Sequence, residues 1–384
     1  MTQSLDVGLY LRIMAQKDAS DLFISAGFPI SIKVDGEMLP LGDKPLSAVD
    51  ARSLIYGVMS PEQKNEFKAN KECNFAIFRP GTGRFRVNVF QQQGCMGMVL
   101  RRIKTKIPEF EELGLPECLQ KLVMEKTGLV ILVGATGSGK STSLASMIGY
   151  RNHHARGHIV TLEDPIEYVH VSDKSLLTQR EIGTDTASFE VGLKNALRQA
   201  PDVILIGEIR SLEVMELAIA FAETGHLCLT TLHATNADQA LDRIISFFPK
   251  DRRDQILLDL SLNLRAIVAQ RLVPKKEGDG RCLAIEIMHN TPLMSETIRR
   301  GDIHALKGFI EKDEAHGMVS FDQSLFELYS KGEISYEDAM HYADSENNVR
   351  LMIKLSGDKK NLLEDKDYWD GIDFVDGTGH KPST

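Results

Sequence analysis

The sequence predicts an α/β protein in which a small α+β domain precedes a larger domain with a mostly parallel sheet. Three observations predict it. The chain has 384 residues, 42% of them apolar, which is more than one hydrophobic core usually holds. From about residue 129 onward, short apolar β-branched runs alternate with segments of helical spacing, as strand, crossover and strand require. Between the first such run, Leu129 to Val133, and the helical segment Leu144 to Tyr150 lies the glycine-rich stretch Gly134-Ala135-Thr136-Gly137-Ser138-Gly139-Lys140-Ser141-Thr142.

Residues 1–102 form the first domain. Leu5 to Ala15 has helical spacing, and Asp21 to Ser25 and Ile30 to Val34 read as strands with Asp35-Gly36 turning the chain after them. Leu46 to Phe67 is helical, restarted at Ser60-Pro61. Arg84 to Phe90 alternates, with Phe85, Val87 and Val89 on one face and Arg84, Arg86 and Asn88 on the other. Met96 to Arg102 returns as an antiparallel partner, and a turn centred on Gln92 and Gln93 places Arg101 opposite Arg84, on the face of Arg86. Like charges so placed repel unless an anion lies between them. A solvated polar face accounts for the pattern equally well.

Residues 103–115 read as a charged, proline-containing linker, and 116–354 as the second domain. It opens with a helix near Pro116 to Glu125. Ile159 to Leu162, Val203 to Ile206 and Leu227 to Leu232 are its further strands, with helices at Phe189 to Gln199 and Leu212 to Glu223. Asp254 to Leu272 reads as one long core helix, Arg281 to Ile287 as a strand, and Leu293 to Lys354 as short helices. Residues 355–384 are expected to be an acidic, mostly disordered tail; Tyr368 and Trp369 within it are a docking motif or casual aromatics.

The glycine-rich stretch fits G-x-x-x-x-G-K-[ST] in the setting a P-loop needs. Its backbone N–H groups can close on a triphosphate at a helix N-terminus, Lys140 can reach the β- and γ-phosphates, and the Ser141 hydroxyl can sit on Mg²⁺. In open parallel sheets ligands collect beyond the C-terminal strand ends, where Glu163, Asp164, Glu208 and His233 all fall. Capping of the next turn, or an ion pair of Glu208 with Arg210, is the bland reading of any one of them. Two carboxylate-bearing strand ends downstream of a P-loop favour Mg²⁺ and water chemistry. His226 and His233 flank one strand and point to opposite faces, so they are not a metal pair. His233 reads as a γ-phosphate sensor or a hydrogen-bonded strut.

A net charge of −9 without a long basic run argues against a nucleic-acid partner. Neither a signal peptide nor a membrane span is predicted, so a soluble cytoplasmic protein is expected. Five scattered cysteines, never in a C-x-x-C pair, suggest neither disulfides nor zinc.

Several stretches together resemble the secretion-superfamily ATPases, and within them the PilT/PilU family of type IV pilus retraction motors. Gly134 to Thr142 is similar to their Walker A box, Thr161-Leu162-Glu163-Asp164-Pro165-Ile166-Glu167-Tyr168 to their Asp box, Ile206-Gly207-Glu208-Ile209-Arg210 to their glutamate-bearing Walker B, and Thr224 through Ala234 to their His box. The resemblance implies a PAS-like first domain, a RecA-like second domain and a homohexameric ring using ATP and Mg²⁺. It implies that Glu163 orients the attacking water and Glu208 holds Mg²⁺, roles that are interchangeable on sequence alone, and that Arg86 and Arg101 reach nucleotide phosphate. The implied partners are a PilT-like retraction ATPase and an inner-membrane pilus platform protein, with the ring at the cytoplasmic base of the pilus. Assembly ATPases usually carry a tetracysteine zinc module, which is absent here. PilT-type chains usually carry A-I-R-N-L-I-R-E where this one reads Met294-Ser295-Glu296-Thr297-Ile298-Arg299-Arg300-Gly301, and an aspartate where it has Ser211. These departures and the acidic tail imply the PilU type, an accessory to PilT.

Overall fold

The computed structural model describes residues 6–34, 36–103, 106–278, 280–313 and 317–356. The expected turn at Asp35 and the acidic tail from residue 357, with Tyr368 and Trp369, lie outside the described residues.

The N-terminal part pairs helices α1 (Val7–Gln16), α2 (Ala48–Val58) and α3 (Pro61–Asn70) with strands β1 (Asp21–Ser25), β2 (Ser31–Val34), β3 (Glu37–Pro40), β4 (Glu72–Arg79), β5 (Gly83–Gln92) and β6 (Cys95–Ile103). The six strands form one antiparallel sheet in the order β3-β2-β1-β6-β5-β4. Its core forms because alternate side chains share a face: Phe85, Val87 and Val89 of β5 are fully buried with Leu22, Leu100, Leu54 and Leu11. The Ser60-Pro61 restart is a capping box, with Ser60 and Gln63 satisfying each other's backbone N–H groups.

One register differs from expectation. Arg101 lies opposite Arg86, and Arg84 lies opposite Ile103. The turn is Gln93-Gly94, with φ of 47° and 77°, because a tight hairpin wants two left-handed residues and glycine supplies one of them at little cost.

The second part contains α4 (Phe110–Leu113), α5 (Cys118–Met124), β7 (Gly128–Val133), α6 (Lys140–His154), β8 (Gly157–Glu163), β9 (Ser175–Glu181), α7 (Phe189–Ala196), β10 (Val203–Ile206), α8 (Leu212–Glu223), β11 (Leu227–Leu232), α9 (Ala237–Phe247), α10 (Arg253–Asn263), β12 (Leu264–Pro274) and β13 (Arg281–His289). The helices α11 (Pro292–Arg300), α12 (Leu306–Ile310), α13 (Phe321–Ser330), α14 (Tyr336–His341) and α15 (Glu346–Leu355) close the described chain. Seven strands form a sheet in the order β13-β12-β7-β11-β10-β8-β9, parallel except for the β12–β13 hairpin. Alternate residues of β7 feed the two faces. Leu129, Ile131 and Val133 join a core with α8 to α15, whereas Val130 and Leu132 join one with α5 and α6. The expected linker is anchored to the second core: Phe110 and Leu115 are buried there, and Phe110 meets Tyr150 edge-on at 5.4 Å.

The long helix expected over Asp254 to Leu272 is instead α10 followed directly by β12. Leu264 onward is a central strand packed on both faces, alongside β7. A doubly buried parallel strand has no polar face, so its apolar run resembles that of a buried helix.

The two parts meet where β5 reaches β9. Arg84 lies 3.6 Å from Glu181, whose side chain is nearly buried.

Candidate functional site

Strand β7 is buried along its whole length and ends at Gly134, where the loop begins. A Cβ on Gly134 would fall 2.3 Å from Ser138 Oγ and 2.7 Å from the Gln270 carbonyl, so only glycine fits. Gly137 and Gly139 hold φ of 81° and 92°. Gly139 caps α6 without a side chain, leaving the first-turn N–H groups of this helix for a ligand. Lys140 is buried and donates from Nζ to the carbonyls of Gly134 at 2.7 Å and Ala135 at 2.9 Å. Burial pulls its pKa down, against the opposing pull of Glu208 and Glu167. Ser138 Oγ is buried with no protein partner among the described residues. A buried hydroxyl facing into a glycine-rich loop fits a phosphate oxygen.

Because β8, β10 and β11 run parallel in register, with Leu162 beside Ile206 and Ile206 beside Thr230, their following residues emerge at one edge. There Glu163, Asp164, Glu208 and His233 line a cavity of 340 Å³ with Thr136, Gly137, Lys140 and Ser141. Glu163 Oε1 accepts from Thr161 Oγ1 at 2.6 Å and Gln179 Nε2 at 3.2 Å, and burial raises its pKa above the ordinary carboxylate range despite these bonds and one from the Glu167 backbone N–H. Glu208 Oε2 accepts from Arg210 through Nη2 at 2.8 Å and Nε at 2.9 Å, while its Oε1 is 3.2 Å from His233 Nε2. Arg210 also lies 3.7 Å from Asp164. Thr231 Oγ1 donates to the Gly207 carbonyl at 2.7 Å, fixing the turn that presents Glu208.

Arg86 and Arg101 do not line this cavity. With Arg102 they line a neighbouring one of 320 Å³ whose other wall is Pro165 to Tyr168; Pro165, Glu167 and Tyr168 border both cavities. Arg101 Nε donates to the buried Asp21 carboxylate at 2.8 Å. His226 turns away from His233 and contacts Thr224 and the Phe221 carbonyl. Gln179, Tyr168 and Gln270 are neighbours of the site that sequence reasoning gave no role. Tyr168 OH sits 3.0 Å from Thr142 Oγ1, inside the Asp-box run, where its position was the available signal.

A profile of the Type II/IV secretion system protein family matches residues 8–341. The type IV pilus ATPase PilU of Pseudomonas aeruginosa is 59% identical over 348 residues, covering 91% of each chain. The chain belongs to the PilT/PilU family of type IV pilus ATPases. Within this family the retraction ATPase PilT of the same organism is 41% identical, covering 88% of this chain and 98% of its own. The solved structure of the pilus retraction motor PilT with bound ADP superposes with a TM-score of 0.85 at 39% identity, over 90% of this chain and 99% of that one. The fold described above, an antiparallel sheet domain followed by a mixed-sheet ATPase domain with C-terminal helices, is thus that of a pilus ATPase. The departure at Ser211 has a structural equivalent of the usual aspartate: its hydroxyl accepts from the Val214 N–H and caps α8, a task both residue types perform.

The residues suit Mg²⁺ bound together with nucleotide. Among the described residues no group of three or more His, Cys, Asp or Glu could cage an ion; Mg²⁺ is usually bound by one or two protein oxygens together with substrate phosphates and water. Ser141 and Glu208 border the same cavity, and their side-chain oxygens could hold such an ion. No helix of the described residues is long and apolar enough to cross a membrane.

Proposed function

We propose that this chain is a Mg²⁺-dependent ATP-hydrolysing subunit of a homohexameric motor, and that the motor retracts type IV pili as a PilU-like accessory beside a PilT-like ATPase. It works at the cytoplasmic face of the inner membrane against the pilus platform protein. The observation that carries the reading is the convergence of Lys140, Glu163, Glu208 and His233 on one cavity, in a chain 59% identical to PilU.

Each side chain has a task in phosphoryl transfer to water, where positioning and charge neutralisation do most of the catalysis. The loop N–H groups and the α6 N-terminus bind the β-phosphate, and Lys140 leaves the Gly134 and Ala135 carbonyls for the β- and γ-phosphates. Ser141, and Glu208 directly or through water, would hold Mg²⁺, which would supply charge neutralisation at the phosphates. Glu163 orients the attacking water and receives its proton; the raised pKa suits it to that transfer. His233, tied to Glu208, reports on the γ-phosphate side. Arg86 and Arg101, one cavity away, reach the transferring phosphoryl group when the two domains close over nucleotide.

Deleting the gene and counting pili tests the biological half of the reading. Pili retained or increased in number, with twitching motility reduced, is the expected result. Loss of pili would make the chain an assembly motor, and normal twitching of a Lys140→Ala strain with active PilT would make it an adaptor that binds nucleotide without using it.

A further inference from the structure

Strand β12 carries two adjacent side chains that hold different elements of the ATPase domain, Gln270 the P-loop helix and Arg271 the C-terminal helices, beside a cavity that both residues line with Gly134 to Ser138 and Tyr342. Gln270 is fully buried one residue beyond the last paired position of β7 and β12, Val133 with Ala269. Its amide faces the Ser143 hydroxyl of α6 at 2.8 Å from Nε2 and 3.2 Å from Oε1, and its carbonyl is the oxygen that forbids a Cβ on Gly134. One residue therefore bonds to the first turn of the P-loop helix and packs its backbone carbonyl against the loop's first glycine.

The next side chain points to the other face of the strand. Arg271 donates through Nη1 to the Tyr342 carbonyl at 2.7 Å and through Nη2 to Asp344 Oδ1 at 2.6 Å, and its guanidinium lies 3.8 Å over the Phe321 ring. Phe321 opens α13, and Asp344 precedes Ser345, the N-cap of α15. Two charge-assisted hydrogen bonds and a stacked ring make a stiff joint between β12 and the C-terminal helices.

We infer that the Gln270–Arg271 step couples nucleotide occupancy of the P-loop to the C-terminal helices α13 to α15. Filling the loop draws Lys140 off the Gly134 and Ala135 carbonyls and resets the loop against Gln270; the same backbone step then shifts the Arg271 joint. Both are positioning residues that act through Ser143 and Asp344. The inference rests on the proposed ATP site.

Hydrogen exchange of the full chain with and without ADP tests it. In the wild type, ADP slows exchange in peptides covering 134–142 and also in those covering 321–355. In Arg271→Ala the P-loop protection persists and the C-terminal response is lost, and Arg271→Lys, which keeps the charge beside Asp344, restores part of it. Asp344→Asn, a change of equal size, lowers the response at least twofold and decides the matter if Arg271→Ala does not fold. Gln270→Leu raises KM for ATP roughly three- to tenfold, the worth of about one neutral hydrogen bond, with kcat little changed. P-loop protection without a C-terminal response in the wild type, a response that survives Arg271→Ala or Asp344→Asn undiminished, or an unaltered KM in Gln270→Leu overturns the coupling. Absence of protection at 134–142 in the wild type overturns the ATP site itself, and the coupling with it.

Discussion

Replacing Glu163 with glutamine separates catalysis from stability. Both side-chain donors to this carboxylate, Thr161 Oγ1 and Gln179 Nε2, bond to the same oxygen, Oε1. An amide oxygen accepts both, so Glu163→Gln keeps the two side-chain hydrogen bonds; the Glu167 backbone N–H also donates to this carboxylate and is the one bond the amide can weaken. What it removes is a carboxylate whose burial raises its pKa, so that ionising it costs stability. Below the unfolded chain's pKa both states hold the proton, and wild type and variant melt alike. As pH rises through the unfolded and then the folded value, the wild type loses stability that the amide keeps. Each tenfold difference in proton affinity between folded and unfolded chain is worth about 1.4 kcal/mol, or roughly 2–4 °C per kcal/mol in a domain of this size. Turnover moves the other way: losing a positioned base costs about 10²–10⁴-fold, roughly 3–5 kcal/mol of barrier. Steady-state phosphate release, ADP affinity and thermal unfolding across pH provide the three readouts. The expected pattern is near-abolished turnover, affinity within about threefold, and a melting temperature equal to wild type in acid and higher at neutral pH. A variant that melts lower at neutral pH, or that retains more than about a tenth of wild-type turnover, would show that this carboxylate is a structural group.

The arginine pair should divide in the same way. Arg101→Ala leaves the buried Asp21 carboxylate, among the described residues, with the Ser20 hydroxyl at 2.8 Å and should lower stability by about 1–2 kcal/mol in denaturant titration, whereas Arg86→Ala should not; both should slow phosphate release. Equal stability of the two variants would contradict the Asp21 assignment. Gly134→Ala forces a methyl against Ser138 Oγ and the Gln270 carbonyl at a φ of 152°, and should cost about 2 kcal/mol or more along with ADP binding. Glu208→Gln loses the charge that faces Arg210 and His233, so Mg²⁺-dependent turnover should vanish while the variant stays folded; hydrolysis at a wild-type rate would remove Glu208 from the metal site.

What could be read from the sequence follows from where the signal is local. The P-loop is a matter of spacing within nine residues, and β8, β10 and β11 are short β-branched runs ended by polar residues, so their strand ends could be placed together without coordinates. Strand β12 was hidden because both its faces are buried, and with it went Gln270 and Arg271, whose partners lie on α6 and beyond α14. Edge strands β3 and β9 gave no alternation: β3 is exposed throughout, and β9 presents Thr178, Gln179 and Arg180 at intermediate burial. Gln179 reaches Glu163 only because β9 pairs with β8 so that it sits beside Thr161. The offset of the arginine register came from two residues of turn geometry, Gln93 and Gly94, and not from the strands themselves. The arginines were assigned to nucleotide by family resemblance. In the structure they border a separate cavity with Pro165 to Tyr168, apart from the one lined by Lys140 and Glu208.

The most direct test of the central claim is steady-state phosphate release by the purified protein with Mg²⁺ and ATP, alone and with a PilT-like partner, using Lys140→Ala as control. Mg²⁺-dependent release that disappears in Lys140→Ala, whether the protein works alone or only with its partner, is the predicted result; activity alone marks a self-sufficient motor, and activity only with the partner marks an accessory one. Release that is unchanged in Lys140→Ala, or absent under both conditions from a folded protein, would contradict the assignment of this cavity as an ATPase site.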